Sequence, residues 1–166
     1  MMKTNIVLIG LMGCGKTTIG RKLSHLLNTS FIDVDDDIEQ HYGSIKNLFE
    51  KGEEYFRDLE SQRVESLSMR ENTVIATGGG VVLRPSNMDA LKKNGIVFYL
   101  KRSLDEIIET LDPSNRPLLS KGTEVLYQIE KEREPLYLLY SDYVIDSSDI
   151  DKAISSISAI FKGSKI

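Results

Sequence analysis

Apolar residues along this chain fall into short continuous runs, and the segments between the runs carry a helical period. Five runs predict strands: Asn5–Ile9, Ser30–Asp33, Thr73–Ala76, Ile96–Leu100 and Tyr143–Asp146. Most are unbroken and rich in Val and Ile, as expected of parallel strands buried on both faces. Thr17–Leu27 follows a glycine loop and has Ile19, Leu23, Leu26 and Leu27 at helical spacing. Glu53–Arg70 is long and charged, with Phe56, Leu59 and Leu67 on a loose apolar face. Pro85–Lys93 starts with proline, which suits a first helical turn. Ser103–Thr110 opens on a serine with Glu106 three residues on, the pattern of a capping box. Glu124–Tyr140 and Asp149–Phe161 complete the helices. The alternation predicts an α/β fold of three layers, a five-stranded parallel sheet between helices, with right-handed crossovers.

Two segments fit this scheme poorly. Asp35–Gly52 reads as short helical pieces broken by Gly43 and Gly52. Leu111–Gly122 is polar and aperiodic, with Pro113, Asn115, Pro117 and Gly122. A loop of that length is either a lid or a surface excursion.

Composition narrows the function classes. The 166 residues suit one domain, 1–166, without internal repeat or linker. Lys and Arg number 21 against 25 Asp and Glu, a formal charge of −4 that argues against a general nucleic-acid binder. It does not argue against small anions, which respond to local charge. The single cysteine, Cys14, allows no internal disulfide or cysteine-based zinc site, and His25 and His41 alone make no metal cluster. The longest apolar runs fall far short of the ~20 residues that span a bilayer. Residues Met1–Asn5 have no signal-peptide architecture. The expected protein is therefore cytoplasmic, with no membrane or nucleic-acid partner. No long exposed apolar helix face is evident, which predicts a monomer.

The strongest chemical signal is Gly10-Leu11-Met12-Gly13-Cys14-Gly15-Lys16-Thr17, which matches G-x-x-x-x-G-K-[ST] between a predicted strand and a predicted helix. Glycines let the backbone curl so that several N–H groups face one phosphate, and the helix N-terminus adds partial positive charge. Gly13, Cys14, Gly15, Lys16, Thr17 and Thr18 are thus candidate nucleotide contacts. Lys16 reaches the β- and γ-phosphates in such loops, and the Thr17 hydroxyl can ligate Mg²⁺. Cys14 reads as a small filler beside the loop amides; a helix N-terminus can acidify a thiol, so reaction with thiol reagents is an expected side effect. The guanine-reading N-K-x-D, the Walker-B pattern of four apolar residues ending in Asp (the strand Ile96–Leu100 runs into Lys101) and the L-S-G-G-Q motif are all missing, and the chain is too short for a motor. A compact kinase remains.

The acceptor side is read from other strand ends. Asp33 and Asp35 follow the second strand, two residues apart, and on a strand they would point together into the ligand crevice. Asp33 could hold Mg²⁺ through water, and Asp35 could take a proton from an alcohol; alternatively, Asp33–Asp37 is a solvated acidic turn with a helix cap. Arg57 and Glu60, three apart on a helix, can pair. Gly78-Gly79-Gly80 end the third strand and let a ligand approach bare backbone. Arg116 lies in the aperiodic loop, where it could close over phosphates as an arginine finger. Arg133 stands beside Pro135. Lys16, Arg57, Arg116 and Arg133 are candidates for one crevice that takes a nucleotide and a second, acidic molecule, since the guanidinium fork suits a carboxylate.

The set GLMGCGKTTIGRKL, FIDVDDDIE, EYFRDLE, ATGGGVVL, NRPLL and REPLY resembles the shikimate kinases, in order and spacing, over most of the chain. The resemblance implies the nucleoside monophosphate kinase-like P-loop fold and ATP-dependent phosphorylation of the 3-hydroxyl of shikimate, a step of aromatic amino-acid biosynthesis. It implies that Asp35 binds the acceptor hydroxyls and serves as base, that Arg57 and Arg133 clamp the carboxylate, and that Gly79 contacts the acceptor through its backbone. Arg116 would close over ATP as a lid residue of approximately 111–122. Thr17 would ligate Mg²⁺ directly and Asp33 through water. The chain departs from the pattern near adenine: Ile108–Leu111 holds no basic residue where many relatives have one, and Asp146–Asp149 lacks their threonine and proline. Neither stretch is assigned an adenine contact. Rival readings are another small-molecule kinase of this fold, acting on gluconate or a nucleotide, a nucleotide-binding module without transfer chemistry, and a catalytically dead relative.

Overall fold

The computed structural model describes residues 2–111 and 122–165. The central part of the loop 111–122, with Arg116, therefore lies outside the described residues.

The five expected strands form one sheet: β1 (Asn5–Ile9), β2 (Ser30–Asp33), β3 (Thr73–Ala76), β4 (Gly95–Lys101) and β5 (Tyr143–Asp146), in the order β2-β3-β1-β4-β5. Every pairing is parallel, with Ile6 opposite Val74 on one side and Ile96 on the other. β1 is buried throughout and β4 through Leu100, which accounts for their unbroken apolar runs. The expectation of burial fails at the edges. In β5 only Ile145 is buried, and Tyr143 and Val144 are 41% and 49% exposed. An edge strand has a neighbour on one side only, so one flank of its side chains meets water.

The helices are α1 (Lys16–Leu27), α2 (Val34–Tyr42), α3 (Ile45–Glu50), α4 (Glu53–Ser68), α5 (Pro85–Asn94), α6 (Leu104–Thr110), α7 (Glu124–Tyr140) and α8 (Ile150–Gly163). A short 3₁₀ turn, Val81–Leu83, follows the glycine triplet. Ile19 and Leu23 of α1 are buried, but Leu26 is 56% exposed. Phe56, Leu59 and Leu67 of α4 are buried as expected, with Val64 beside them. The segment 35–52 does break into two helices, α2 ending at Gly43 and α3 just before Gly52, both glycines at positive φ. Ser103 stands at the N-cap of α6 without a side-chain bond, so the expected capping box does not form; Glu106 instead pairs with Arg102 at 3.5 Å.

The topology creates the site. After β1 the chain moves to one side of the sheet to build β2 and β3, then crosses to the other side for β4 and β5. Loops after neighbouring strands therefore part at the carboxyl end of β1, leaving a crevice there. The loop 10–15, the turn at Asp33 and the triplet 78–80 all open from that edge.

Candidate active site

The loop after β1 is shaped by backbone that only glycine tolerates. Gly10 sits at φ 145°, and a Cβ there would stand 2.7 Å from the Leu100 carbonyl oxygen. Gly15 caps α1 in the left-handed region at φ 101°. Lys16 is 8% exposed, and its Nζ donates to the carbonyls of Gly10 at 2.6 Å and Leu11 at 2.8 Å. The ammonium thus lies folded back across the loop, held by acceptors that a phosphate can replace. Cys14 Sγ lies 3.6 Å from the same ammonium. At 1% exposure this thiol is a filler, as expected, but it is closed to thiol reagents, which corrects that expectation. Gly13 and Gly15 are partly exposed, and Thr17 and Thr18 are exposed on the first turn of α1.

Thr17 Oγ1 donates to Asp33 Oδ2 at 2.6 Å. Asp33 also caps α2, its Oδ1 accepting from the Asp36 N–H at 3.2 Å. The carboxylate thus caps a helix, as one reading expected, and also faces the loop threonine. The hydroxyl and the carboxylate side by side are hard oxygen donors of the kind Mg²⁺ prefers. The strand geometry expected for Asp33 and Asp35 is not found. The strand ends at Asp33, and Asp35 already belongs to α2. The strand-to-helix turn, not a shared strand face, keeps the two carboxylates close.

Asp35 is brought to the glycine wall. A Cβ on Gly78 would meet Asp35 Oδ1 at 2.8 Å and Glu60 Oε2 at 3.1 Å, so both carboxylates converge on this bare backbone. Burial is the main reason that the Asp35 carboxyl is pushed up to about 6; the negative charges of Asp33 and Glu60 add to it, and Lys16 and Arg57 oppose it. A carboxylate in that range can take a proton near neutrality.

Arg57 and Glu60 pair as their spacing on α4 implies, with Nη1 donating to Oε1 at 2.8 Å and residue exposures of 6% and 1%. The guanidinium is also held by the rings of Phe56 and Phe49, at 5.1 and 5.7 Å from their centres. Glu60 Oε2 is buried without a hydrogen-bond partner among the described residues. Such an atom is costly unless something donates to it. Gly80 faces this guanidinium so closely that a Cβ would overlap it. Gly79 faces Arg133, whose Nη1 lies 3.3 Å from where a Cβ would be. The triplet is thus a wall with Asp35 and Glu60 at Gly78, Arg133 at Gly79 and Arg57 at Gly80. Lys16 and Arg57 both act electrostatically on Asp35, which ties the phosphate loop to the same crevice.

Three contacts were not legible beforehand. Tyr137 Oη donates to the Gly79 carbonyl at 2.6 Å. Ser147 Oγ donates to the Cys14 carbonyl at 2.7 Å, fastening the phosphate loop to the end of β5. Arg102 Nη1 reaches the Gly13 carbonyl at 3.3 Å. Each uses a backbone carbonyl of a loop far away in sequence, and no side-chain pattern encodes such a partner.

The family model described as shikimate kinase matches residues 12–161. A shikimate kinase of Clostridium botulinum is 43% identical over 161 residues, covering 96% of this chain and 98% of that protein. One from Caldanaerobacter subterraneus is 47% identical over 150 residues, covering 87% of each. The solved shikimate kinase from Acinetobacter baumannii in complex with shikimate superposes with a TM-score of 0.89 at 37% identity, over 97% of this chain and 94% of that one. A gluconokinase from Sinorhizobium meliloti, at 15% identity and a TM-score of 0.60, shares the fold alone. With a family match that runs from the phosphate loop into the last helix, this chain belongs to the shikimate kinase family.

Proposed function

We infer that this chain transfers the γ-phosphoryl group of ATP to the 3-hydroxyl of shikimate, giving shikimate 3-phosphate and ADP. The observation that carries this reading is the glycine wall, which gathers a raised carboxyl and two guanidinium groups beside the phosphate loop. An acceptor with a hydroxyl at one end and a carboxylate at the other matches that pairing.

In this reading the acceptor carboxylate lies between Arg57 and Arg133, and Gly79 meets the ring through its backbone. The Arg57–Glu60 bond fixes the fork in one orientation before the acceptor arrives, which lowers the ordering cost on binding. The acceptor hydroxyl faces Asp35. The hydroxyl oxygen attacks Pγ as its proton passes to the Asp35 carboxylate, the bond from Pγ to the bridging oxygen breaks, and ADP leaves. Lys16 turns from the Gly10 and Leu11 carbonyls to the β- and γ-phosphates, which carry more negative charge. Such a transition state is stabilised mostly by position and charge. Thr17 and Asp33 would hold Mg²⁺, Thr17 directly and Asp33 through water. Bound there, the ion neutralises phosphate charge. By the family resemblance Arg116, outside the described residues, would contact ATP. Gly13, Cys14, Gly15 and Thr18 supply backbone and side-chain contacts to the phosphates.

The protein would act as a cytoplasmic monomer on two small anions. No helix among the described residues is long and apolar enough to cross a membrane. The decisive experiment is ADP release with ATP and Mg²⁺, with and without shikimate, against gluconate and nucleoside monophosphates as alternative acceptors. Release that requires shikimate supports the reading. Release that is independent of acceptor, or driven by another one, overturns it.

A further inference from the structure

The R-x-P-L-Y segment supplies Arg133 to the crevice, but its tyrosine has no part in the chemistry above. Tyr137 is the largest of the fully buried side chains, at 0% exposure, and stacks on Tyr99 with ring centres 5.0 Å apart. A buried phenol needs a partner for its hydroxyl. Here the partner is the Gly79 carbonyl, at 2.6 Å, in the glycine wall 58 residues away. A carbonyl can only accept, so the phenol proton is committed to Gly79 and the remaining lone pairs of Oη can take a donor. Arg133, one turn earlier on α7, lies beside the same hydroxyl and opposes the strong upward push that burial gives the phenol. A Cβ on Gly79 would meet Arg133 Nη1 at 3.3 Å, and Tyr137 Oη and the Gly10 carbonyl oxygen at 3.6 Å each, so the two side chains flank one backbone position beside the phosphate loop.

This geometry constrains the wall itself. The Gly79 carbonyl belongs to the same peptide unit as the Gly80 N–H, and that unit is trans and planar. Holding the carbonyl toward α7 therefore turns the Gly80 N–H the opposite way. Glycine backbone has no side chain to set its torsions, so three in a row need an external tether. Of the triplet, Gly79 alone is partly exposed; Gly78 and Gly80 are buried.

We propose that the Tyr137 hydroxyl is a positioning residue for the acceptor's carboxylate: it locks the Gly79–Gly80 peptide and steadies Arg133 as one unit. The proposal rests on the shikimate reading of this site. It places Tyr137 outside the reacting atoms.

The test is Tyr137→Phe, which keeps the ring stack and removes only the hydroxyl. Shikimate KM, and shikimate Kd by calorimetry, should rise about tenfold, the effect of one buried hydrogen bond. Turnover at saturation and ATP KM should stay within about threefold on the same reasoning. A cycle with Arg133→Ala should be less than additive in shikimate affinity, because the two groups act together. A merely structural tyrosine would lower the melting temperature but would not separate the two KM values. Shikimate KM unchanged, both KM values rising together, or strict additivity with Arg133→Ala would each overturn the proposal. Should Tyr137→Phe fail to melt cooperatively, 3-fluorotyrosine at position 137 gives a second readout: its ¹⁹F resonance should move on adding shikimate and stay put on adding ADP, and the reverse overturns the assignment. Wild-type protein that releases no ADP with shikimate would refute the function and this role with it; an active wild type with an unmoved Tyr137→Phe would refute the role alone.

Discussion

Replacing Gly80 with alanine separates the glycine wall's role in function from its role in folding. Gly80 sits at φ −94° and ψ 6°, a conformation open to alanine, so the backbone itself is not strained by the change. The obstacle is Arg57. The added carbon would stand 2.5 Å from the guanidinium Cζ and 2.5 Å from one terminal nitrogen, and would press harder on the other. Ordinary contact is about 3.5–4.0 Å, so the guanidinium must retreat by about 1 Å. It is the free end of a flexible side chain, so the fold can accommodate the move. It is nonetheless held by a 2.8 Å bond to Glu60 and by the rings of Phe49 and Phe56, so the move costs those contacts. Overpacking of this kind costs about 1–3 kcal/mol in stability. For a chain of this size that is a fall of roughly 2–12 °C in Tm.

The functional cost should be much larger. A displacement of 1 Å in a positioning group can reduce rate by about 10²-fold. The expected result is a loss of about 10²-fold in kcat/KM for shikimate, in the same range as losing a charged hydrogen bond. ATP KM should stay near wild type, because Gly80 and Arg57 lie on the acceptor side. The assay is coupled ADP release with each substrate varied in turn, alongside a thermal melt. A Gly80→Ala protein with wild-type kcat/KM for shikimate would refute the claim that the wall sets Arg57. So would a rise in ATP KM to match.

The remaining expectations concern Asp35 and the phosphate loop. With the Asp35 carboxyl at about 6, kcat/KM for shikimate should fall about tenfold per pH unit below 6 and level off above it; a profile flat from pH 5 to 8 would remove Asp35 as the base. Asp35→Asn should lose about 10²–10⁴-fold in turnover with ATP affinity nearly kept, as measured by ADP release and nucleotide calorimetry. The same variant should be more stable than wild type at pH 8. Because the folded carboxyl sits above its unfolded value of 3.8, ionising it costs stability as pH rises through about 6, and the amide escapes that cost. The gain should be about 1–3 kcal/mol at pH 8 and should fade by pH 4, which denaturant melts at both pH values will check. Ser147→Ala should raise ATP KM and leave shikimate KM unchanged, because it unpairs the Cys14 carbonyl and costs the loop roughly 1–3 kcal/mol; equal KM values for both proteins would refute that tether.

How much of this was legible depended on whether the information is local. The strands at 5–9, 30–33, 73–76 and 143–146 have the expected bounds; for the inner two, 5–9 and 73–76, burial on the sheet writes itself as short apolar runs. The phosphate loop was legible because its glycines, lysine and threonine are contiguous and follow a strand directly. The Arg57–Glu60 pair was legible because helical spacing alone brings the two together. The Asp33–Asp35 argument reached a correct neighbourhood through a wrong geometry: the capping carboxylate of Asp33 starts α2 at Val34, and one residue decides whether Asp35 is strand or helix. Boundaries of that kind are where side-chain patterns carry least information.

The contacts that escaped the sequence share a cause. Tyr137, Ser147 and Arg102 each bond a carbonyl of Gly79, Cys14 or Gly13, and a carbonyl is present at every residue, so no residue type marks the acceptor. A chain of formal charge −4 can still bind two anions because Lys16, Arg57 and Arg133 are gathered within one crevice while most of the paired acids, such as Glu54, Asp58 and Asp151, stay exposed. Lys16 is held by carbonyls, Arg57 by the buried Glu60 and the exposed Glu53, and Arg133 beside a phenol hydroxyl. Full neutralisation by acids would leave nothing for a ligand to gain. Carbonyl and hydroxyl partners keep Lys16 and Arg133 oriented but under-compensated, and that residual positive potential, rather than net charge, is what an incoming carboxylate or phosphate would meet.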